Sequence, residues 1–91
     1  MLHIVRWFIV WNNVILFMKN QDEILLKELA INIKARRSEL KISQEKLAEK
    51  CGFDRTYISL LETAKRNPSY CNLVKLSNGL NISLSSLLKD I

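Results

Sequence analysis

The stretch Ser43–Ala64 constrains the fold more than any other part of the chain. It reads as two helices of under ten residues joined only by Gly52-Phe53-Asp54. Ser43 has the side chain of a helix N-cap, Leu47 and Ala48 are the inward positions of the helix that follows, and Gly52 ends it. Asp54 caps the second helix, RTYISLLETA, in which Ile58 and Leu61 point inward. So short a link forces the two helices to cross steeply, and the second then projects its N-terminal end outward. That end carries Arg55, Thr56 and Tyr57, with Ser59 and Leu60 on the same exposed side. Arginine offers a two-pronged fork that fits guanine, threonine a hydroxyl and a methyl, and tyrosine a hydroxyl that reaches phosphate.

The surrounding sequence continues in the same helical style. Asp22 is expected to cap a helix with Glu23 in its first turn. Leu26, Leu29, Ile33 and Leu40 recur on one face of it, while Lys27, Lys34, Arg36 and Lys41 lie mostly off that face. Asn67-Pro68-Ser69 forms a loop whose Ser69 caps a fourth helix with Leu73, Leu76 and Leu80 on one face. Asn81 suits the left-handed residue after that helix, and Ser83 opens a last short helix carrying Leu84, Leu87 and Leu88. The expected fold is all-α, with five short helices in one domain over residues 22–91.

Composition narrows the function. With 91 residues the chain makes one small domain. Two glycines and one proline fit neither the many turns of a sandwich or barrel nor a Gly-rich phosphate loop. The single histidine, His3, lies in the apolar N-terminal stretch, and the nine carboxylates are scattered rather than clustered as metal ligands. Cys51 and Cys71 stand twenty apart, outside zinc or CxxC spacing, and read as free thiols of a cytoplasmic protein. No catalytic residues, cofactor or metal are expected. Fourteen Lys and Arg against nine Asp and Glu leave a net charge of +5, which suits a nucleic-acid partner.

Residues 2–18, LHIVRWFIVWNNVILFM, stand apart, with thirteen of seventeen positions apolar. All nine acidic residues and thirteen of the fourteen basic ones follow them. Four readings of this segment compete. A membrane span needs about 20 apolar residues, and Arg6, Asn12 and Asn13 interrupt this run. A signal peptide needs positive charge first and a small-residue cleavage site last, and neither is present. The segment otherwise packs on the domain or on a second subunit, or it lies upstream of a natural start at Met18. The composition break favours that start, so residues 1–18 are set apart from the domain at 22–91. Helix and strand are not separable here from pattern alone.

The residues from about Leu29 to Leu88 closely resemble the lambda-repressor-like, XRE-type helix-turn-helix family. The resemblance is carried by Ile33 and Arg37, by SQEKLAEKCGF at 43–53, DRTYISLLE at 54–62, KRNPS at 65–69 and LVKLSNGLNISLSSLL at 73–88. Within the family, the DRTYIS…E…RNPS pattern looks most like the controller proteins of restriction–modification systems. The resemblance implies a five-helix DNA-binding domain with its helix-turn-helix at about 44–63. It implies base reading by Arg55, Thr56, Ser59 and Leu60, with Gln44, Tyr57, Lys65, Arg66 and Asn67 on the DNA backbone. Leu60 stands where the family often has a polar residue, and reads either a thymine methyl or nothing. Arg36 and Lys34 are further charges for backbone steering or simple solvation. Arg37 and Glu62 are implied to form an internal salt bridge between the first and third helices. Cys51 falls where the family has a small buried residue. Ala64 departs from the family's usual glycine, and because alanine would bear roughly 1 kcal/mol of strain in the left-handed conformation, the recognition helix is expected to run on or end differently.

The family also implies a homodimer on palindromic double-stranded DNA, with half-sites about 34–36 Å apart. Tyr70, Leu84, Leu87, Leu88 and Ile91 offer the apolar surface for the dimer interface, some of these leucines being core. The implied function is transcriptional regulation of a restriction–modification system through occupancy of operators near promoters, blocking or recruiting RNA polymerase, with no small-molecule ligand. The alternatives are an antitoxin or phage-type repressor of the same fold, and a membrane-tethered interaction module using residues 2–18.

Overall fold

A computed structural model describes residues 2–91, with side chains from Ile4 onward. His3, the only histidine, therefore lies outside the described side chains. Five helices follow in order: α1 (Leu2–Glu39), α2 (Gln44–Cys51), α3 (Arg55–Glu62), α4 (Tyr70–Gly79) and α5 (Leu84–Leu87). No strand occurs among the described residues.

The first helix corrects the expected start at Asp22. No glycine or proline occurs before Gly52, so nothing in the backbone interrupts the helix, and Asp22 lies inside it rather than capping it. The apolar segment is thus helical, but its described side chains are not packed on the domain. Trp7, Phe8, Trp11 and Phe17 are all more than half exposed, and burial begins only at Leu26. No helix among the described residues is long and apolar enough to cross a membrane.

The C-terminal half of α1 is the frame on which the rest is built. Its Leu29 and Ile33 join Leu47, Ala48 and Cys51 of α2, Ile58 and Leu61 of α3, Leu76 and Leu80 around the end of α4, and Leu87 of α5 in one core. Helix α1 packs on α3 and α5, α2 on α3 and α4, and α4 on α5. Ser43, Ser69 and Ser83 cap α2, α4 and α5, each accepting a hydrogen bond from the backbone N–H three residues on.

Four of the helices end in one manner. After α1, α2, α3 and α4 the chain turns through a single left-handed residue: Lys41 (φ +56°), Gly52 (+76°), Ala64 (+59°) and Asn81 (+54°). The N–H of the residue beyond each reaches back to the helix: Ile42 to Arg37, Phe53 to Ala48, Lys65 to Leu60 and Ile82 to Ser77. This double closure satisfies the last carbonyls of each helix. Only one of the four left-handed residues is a glycine, and Ala64 holds that conformation without a side-chain polar group to favour it. This corrects the expectation that the recognition helix would run on or end differently at Ala64: it ends through the left-handed residue, held there by the bond from the Lys65 N–H to the Leu60 carbonyl.

Candidate nucleic-acid interface

The α2–α3 connection positions the site. Gly52 reverses the chain, Phe53 stacks edge-on against Tyr57 with ring centroids 4.8 Å apart, and Asp54 starts α3. Asp54 begins the helix with its backbone only. Its carbonyl accepts from Tyr57 and Ile58, and its side chain makes no capping hydrogen bond, which corrects the expected side-chain cap. Ile58 and Leu61 turn fully into the core, so the opposite face of α3 faces outward.

On that outward side Arg55 and Thr56 are exposed, whereas Tyr57, Ser59 and Leu60 are half-buried. Ser59 and Leu60 are therefore less open than the sequence pattern implied. Their carbonyls both accept from the Thr63 hydroxyl, which closes the C-terminal turn of α3. The Tyr57 hydroxyl accepts from Asn72 Nδ2 at 3.0 Å. That bond leaves the tyrosine its own proton to donate, and a phosphate only accepts. Asn72 carries no motif that would have marked it in the sequence.

Gln44 opens α2 and is half-buried, with its amide 3.4 Å from Glu62 Oε1. Lys65, Arg66 and Asn67 are exposed on the loop after α3, which is anchored by the buried Pro68. Lys34 shares an open groove with Thr63 and Ala64. Arg36 is not a free steering charge. Its Nε donates to the Leu80 carbonyl at 3.0 Å and its Nη2 to Asn81 at 3.3 Å, so it ties α1 to the end of α4.

An ion pair ties α1 to α3. Arg37 Nε lies 2.8 Å from Glu62 Oε2, Nη2 lies 2.9 Å from Oε1, and Nη1 donates to the Ile42 carbonyl. The Glu62 side chain is only 3% exposed. The hydrogen bond that Arg37 donates to Glu62 raises its guanidinium above the usual pKa, outweighing the lowering effect of burial. A charge this well held and this far inside is structural.

Glu45, in the first turn of α2, places Oε1 2.8 Å from Arg55 Nε. Its carboxyl is held below the usual glutamate range, chiefly by its own backbone N–H; desolvation opposes this, and Arg55 and Ser43 add smaller lowering effects. The contact joins residues on different helices. Sequence reading missed it because nothing in the spacing of Glu45 and Arg55 marks them as neighbours.

Among the apolar residues expected at a subunit interface, Leu87 is only 1% exposed and belongs to the core, because α5 closes the domain through it. Leu84 and Leu88 flank that core half-buried, and Tyr70 and Ile91 are exposed. Cys51 is buried and Cys71 exposed, and both are free. Burial pushes the Cys51 thiol above its usual pKa, so it stays protonated. No cluster of metal-ligating side chains occurs among the described residues.

Comparison with known proteins bears on this arrangement. The control protein C.MunI of a Mycoplasma species is 48% identical over 58 residues, which cover 64% of this chain and 78% of that protein. The crystal structure of the restriction–modification controller protein C.AhdI from Aeromonas hydrophila superposes with a TM-score of 0.67 at 34% identity, covering 68% of this chain and 94% of that one. The controller protein C.Esp1396I superposes with a TM-score of 0.66 at 37% identity, over 70% of this chain and 87% of that one. Crystal structures of its variants, with an arginine, a threonine or a tyrosine replaced at three consecutive positions, match as well. The family described as helix-turn-helix (HTH_3) matches residues 33–87. That match takes in the end of α1 and all of α2 to α5, and the chain belongs to the helix-turn-helix family.

Proposed function

We propose that the chain is a sequence-specific DNA-binding transcriptional regulator, acting in the cytoplasm as the controller of a restriction–modification system. The observation that carries this reading is the outward N-terminal end of α3, where Arg55 and Thr56 stand exposed beside a half-buried Tyr57. Arg-Thr-Tyr occurs once in the chain, at 55–57, and the same three residue types in the same order are those replaced in the C.Esp1396I variants. In this reading α3 enters the major groove. Arg55 and Thr56 read base edges, with Ser59 and Leu60 deeper in the groove. Gln44, Tyr57, Lys65, Arg66 and Asn67 hold the phosphates on either side and fix the register.

One such helix spans a single half-site, so the active species is a homodimer on a palindrome. Tyr70, Leu84, Leu88 and Ile91 supply the surface that a second copy covers. Occupancy near a promoter then blocks or recruits RNA polymerase according to where the operator lies. Dimerisation before binding makes the response steep in protein concentration. No step in this mechanism requires a catalytic group or cofactor. The domain assigned to this work is 22–91, and the preceding apolar helical residues take no part in it.

The test is a footprint of the purified protein on the DNA upstream of its own gene, at moderate salt with excess random competitor. Paired protected patches about one helical turn apart are expected. Arg55→Ala should weaken binding about tenfold or more and relax base choice at one position per half-site. Lys65→Ala should weaken binding to all sequences alike and flatten the salt dependence by about one unit. Weak, salt-sensitive binding everywhere without protected patches would refute the reading.

A further inference from the structure

The base-reading end of α3 is not free in the unbound protein. Arg55 Nε is engaged by Glu45 Oε1 at 2.8 Å, and both side chains are more than half exposed. Exposed pairs of this kind contribute little to stability, because solvent screens the attraction and two long side chains must be ordered. A contact between two helices at this position therefore has more to do with where the guanidinium points than with holding the fold together. Arginine has five N–H donors in a planar fork. The contact is an ion pair through Nε without an aligned hydrogen bond, and it leaves the two terminal nitrogens, which match the O6 and N7 edge of guanine. The carboxylate also cancels the arginine's charge towards distant phosphates while leaving the fork's geometry intact.

We propose that Glu45 is a positioning residue for base recognition, orienting Arg55 towards guanine and reducing its attraction to phosphates of non-cognate DNA. The proposal rests on Arg55 being a base reader, as proposed above. Its effect falls on the ratio of specific to non-specific affinity. Glu45 raises that ratio from both sides, by limiting the rotamers Arg55 samples on the operator and by removing one net positive charge from the non-specific encounter. Glu45 stays ionised at neutral pH, its carboxyl being held low by its own backbone N–H, by Arg55 and by Ser43.

The experiment uses the full chain and two duplexes. One is the site selected by the wild-type protein from a random duplex pool, and the other is a scrambled duplex of equal length. Affinity is measured on both across a salt series for wild type, Glu45→Gln, Arg55→Ala and the double variant, with thermal melts as a folding control. Glu45→Gln should lower the specific-to-scrambled ratio about tenfold and steepen the salt dependence on scrambled DNA by up to about one unit. It should also relax the preference at the base pair that Arg55→Ala relaxes, and have no further effect on base choice once Arg55 is gone. A merely structural glutamate would not move that one base pair. If Glu45→Gln leaves the ratio unchanged, or weakens binding by the same factor with and without Arg55, the proposal is overturned while Arg55 remains a reader. If Arg55→Ala itself leaves specific binding unchanged, the base-reading assignment fails and the proposal fails with it.

Discussion

Replacing Arg37 with alanine should be the most damaging single change on the frame of the site. The substitution removes both hydrogen bonds that Arg37 makes to Glu62 and the one it makes to the Ile42 carbonyl. Glu62, 3% exposed, is then left with only the Gln44 amide at 3.4 Å. Breaking a buried pair by deleting one partner costs about 3–5 kcal/mol, because the remaining charge is uncompensated. For a domain of this size that corresponds to a fall in melting temperature of roughly 15–30 °C.

Glu62→Gln should cost less, about 1–3 kcal/mol, because Arg37 is 17% exposed and keeps the Ile42 carbonyl. Urea denaturation followed by circular dichroism at pH 7 measures both losses. A loss below about 1 kcal/mol for Arg37→Ala would mean that the pair behaves as a solvated one and would refute the reasoning.

Four further outcomes follow from other features of the chain. Ala64→Gly should stabilise by about 1 kcal/mol in denaturation, since it relieves the left-handed alanine at φ +59°, and a loss would refute that origin of strain. Gly79→Ala should destabilise by about 1–3 kcal/mol because the added methyl meets the buried Cys51 sulfur, and Cys51→Ala in the same chain should reverse the sign, leaving the helix-propensity gain. The lowered Glu45 pKa contributes stability that is present above the ordinary glutamate range and is lost as pH falls through its depressed folded value. Acid titration of Glu45→Gln should therefore show a shallower low-pH limb than wild type, and superimposable curves would contradict the shift. Removing residues 2–17 should leave the denaturation midpoint of the domain within about 0.5 kcal/mol, as their described side chains are all exposed, and a larger loss would reveal contacts to the core.

What could be read in the sequence was whatever is set by local chemistry. Ser43, Ser69 and Ser83 were recognisable as caps because a hydroxyl three residues before a free N–H has one obvious partner. Gly52 and Asn81 were recognisable as helix ends because few residues tolerate positive φ. The core leucines followed from helical spacing, and Arg37 with Glu62 from the family pattern. Three things were hidden. The start of α1 was misplaced because Asp22 has cap chemistry, yet a cap acts only where the helix already ends, and no residue before it breaks the backbone. Leu87 could not be separated from Leu84 and Leu88, since which leucine of a one-turn helix is covered depends on how α5 sits on α1 and α4. The Glu45–Arg55 contact depends on the crossing of α2 and α3, which a short link restricts without setting the distance between two particular side chains.

The two neighbouring arginines of α1 show how the frame and the site are linked. Arg36 and Arg37 are adjacent in sequence and so point to different sides of the helix. One grips the carbonyls at the end of α4 and the other the carboxylate at the end of α3. The same glutamate, Glu62, also meets Gln44 at the start of α2. The C-terminal end of α3 and the N-terminal end of α2 are thus tied through one buried carboxylate, while Glu45 in the first turn of α2 reaches the N-terminal end of α3. The buried contact at the C-terminal end of α3 holds its orientation against α2, and α1 supplies the fixed point for it. A change at Arg37 should therefore lower DNA affinity only through folding, whereas a change at Glu45 should alter base choice in a fully folded protein. Measuring affinity against melting temperature for the two variants separates those routes: proportional losses for Arg37→Ala, and a loss of specificity out of proportion to any small change in melting temperature for Glu45→Gln.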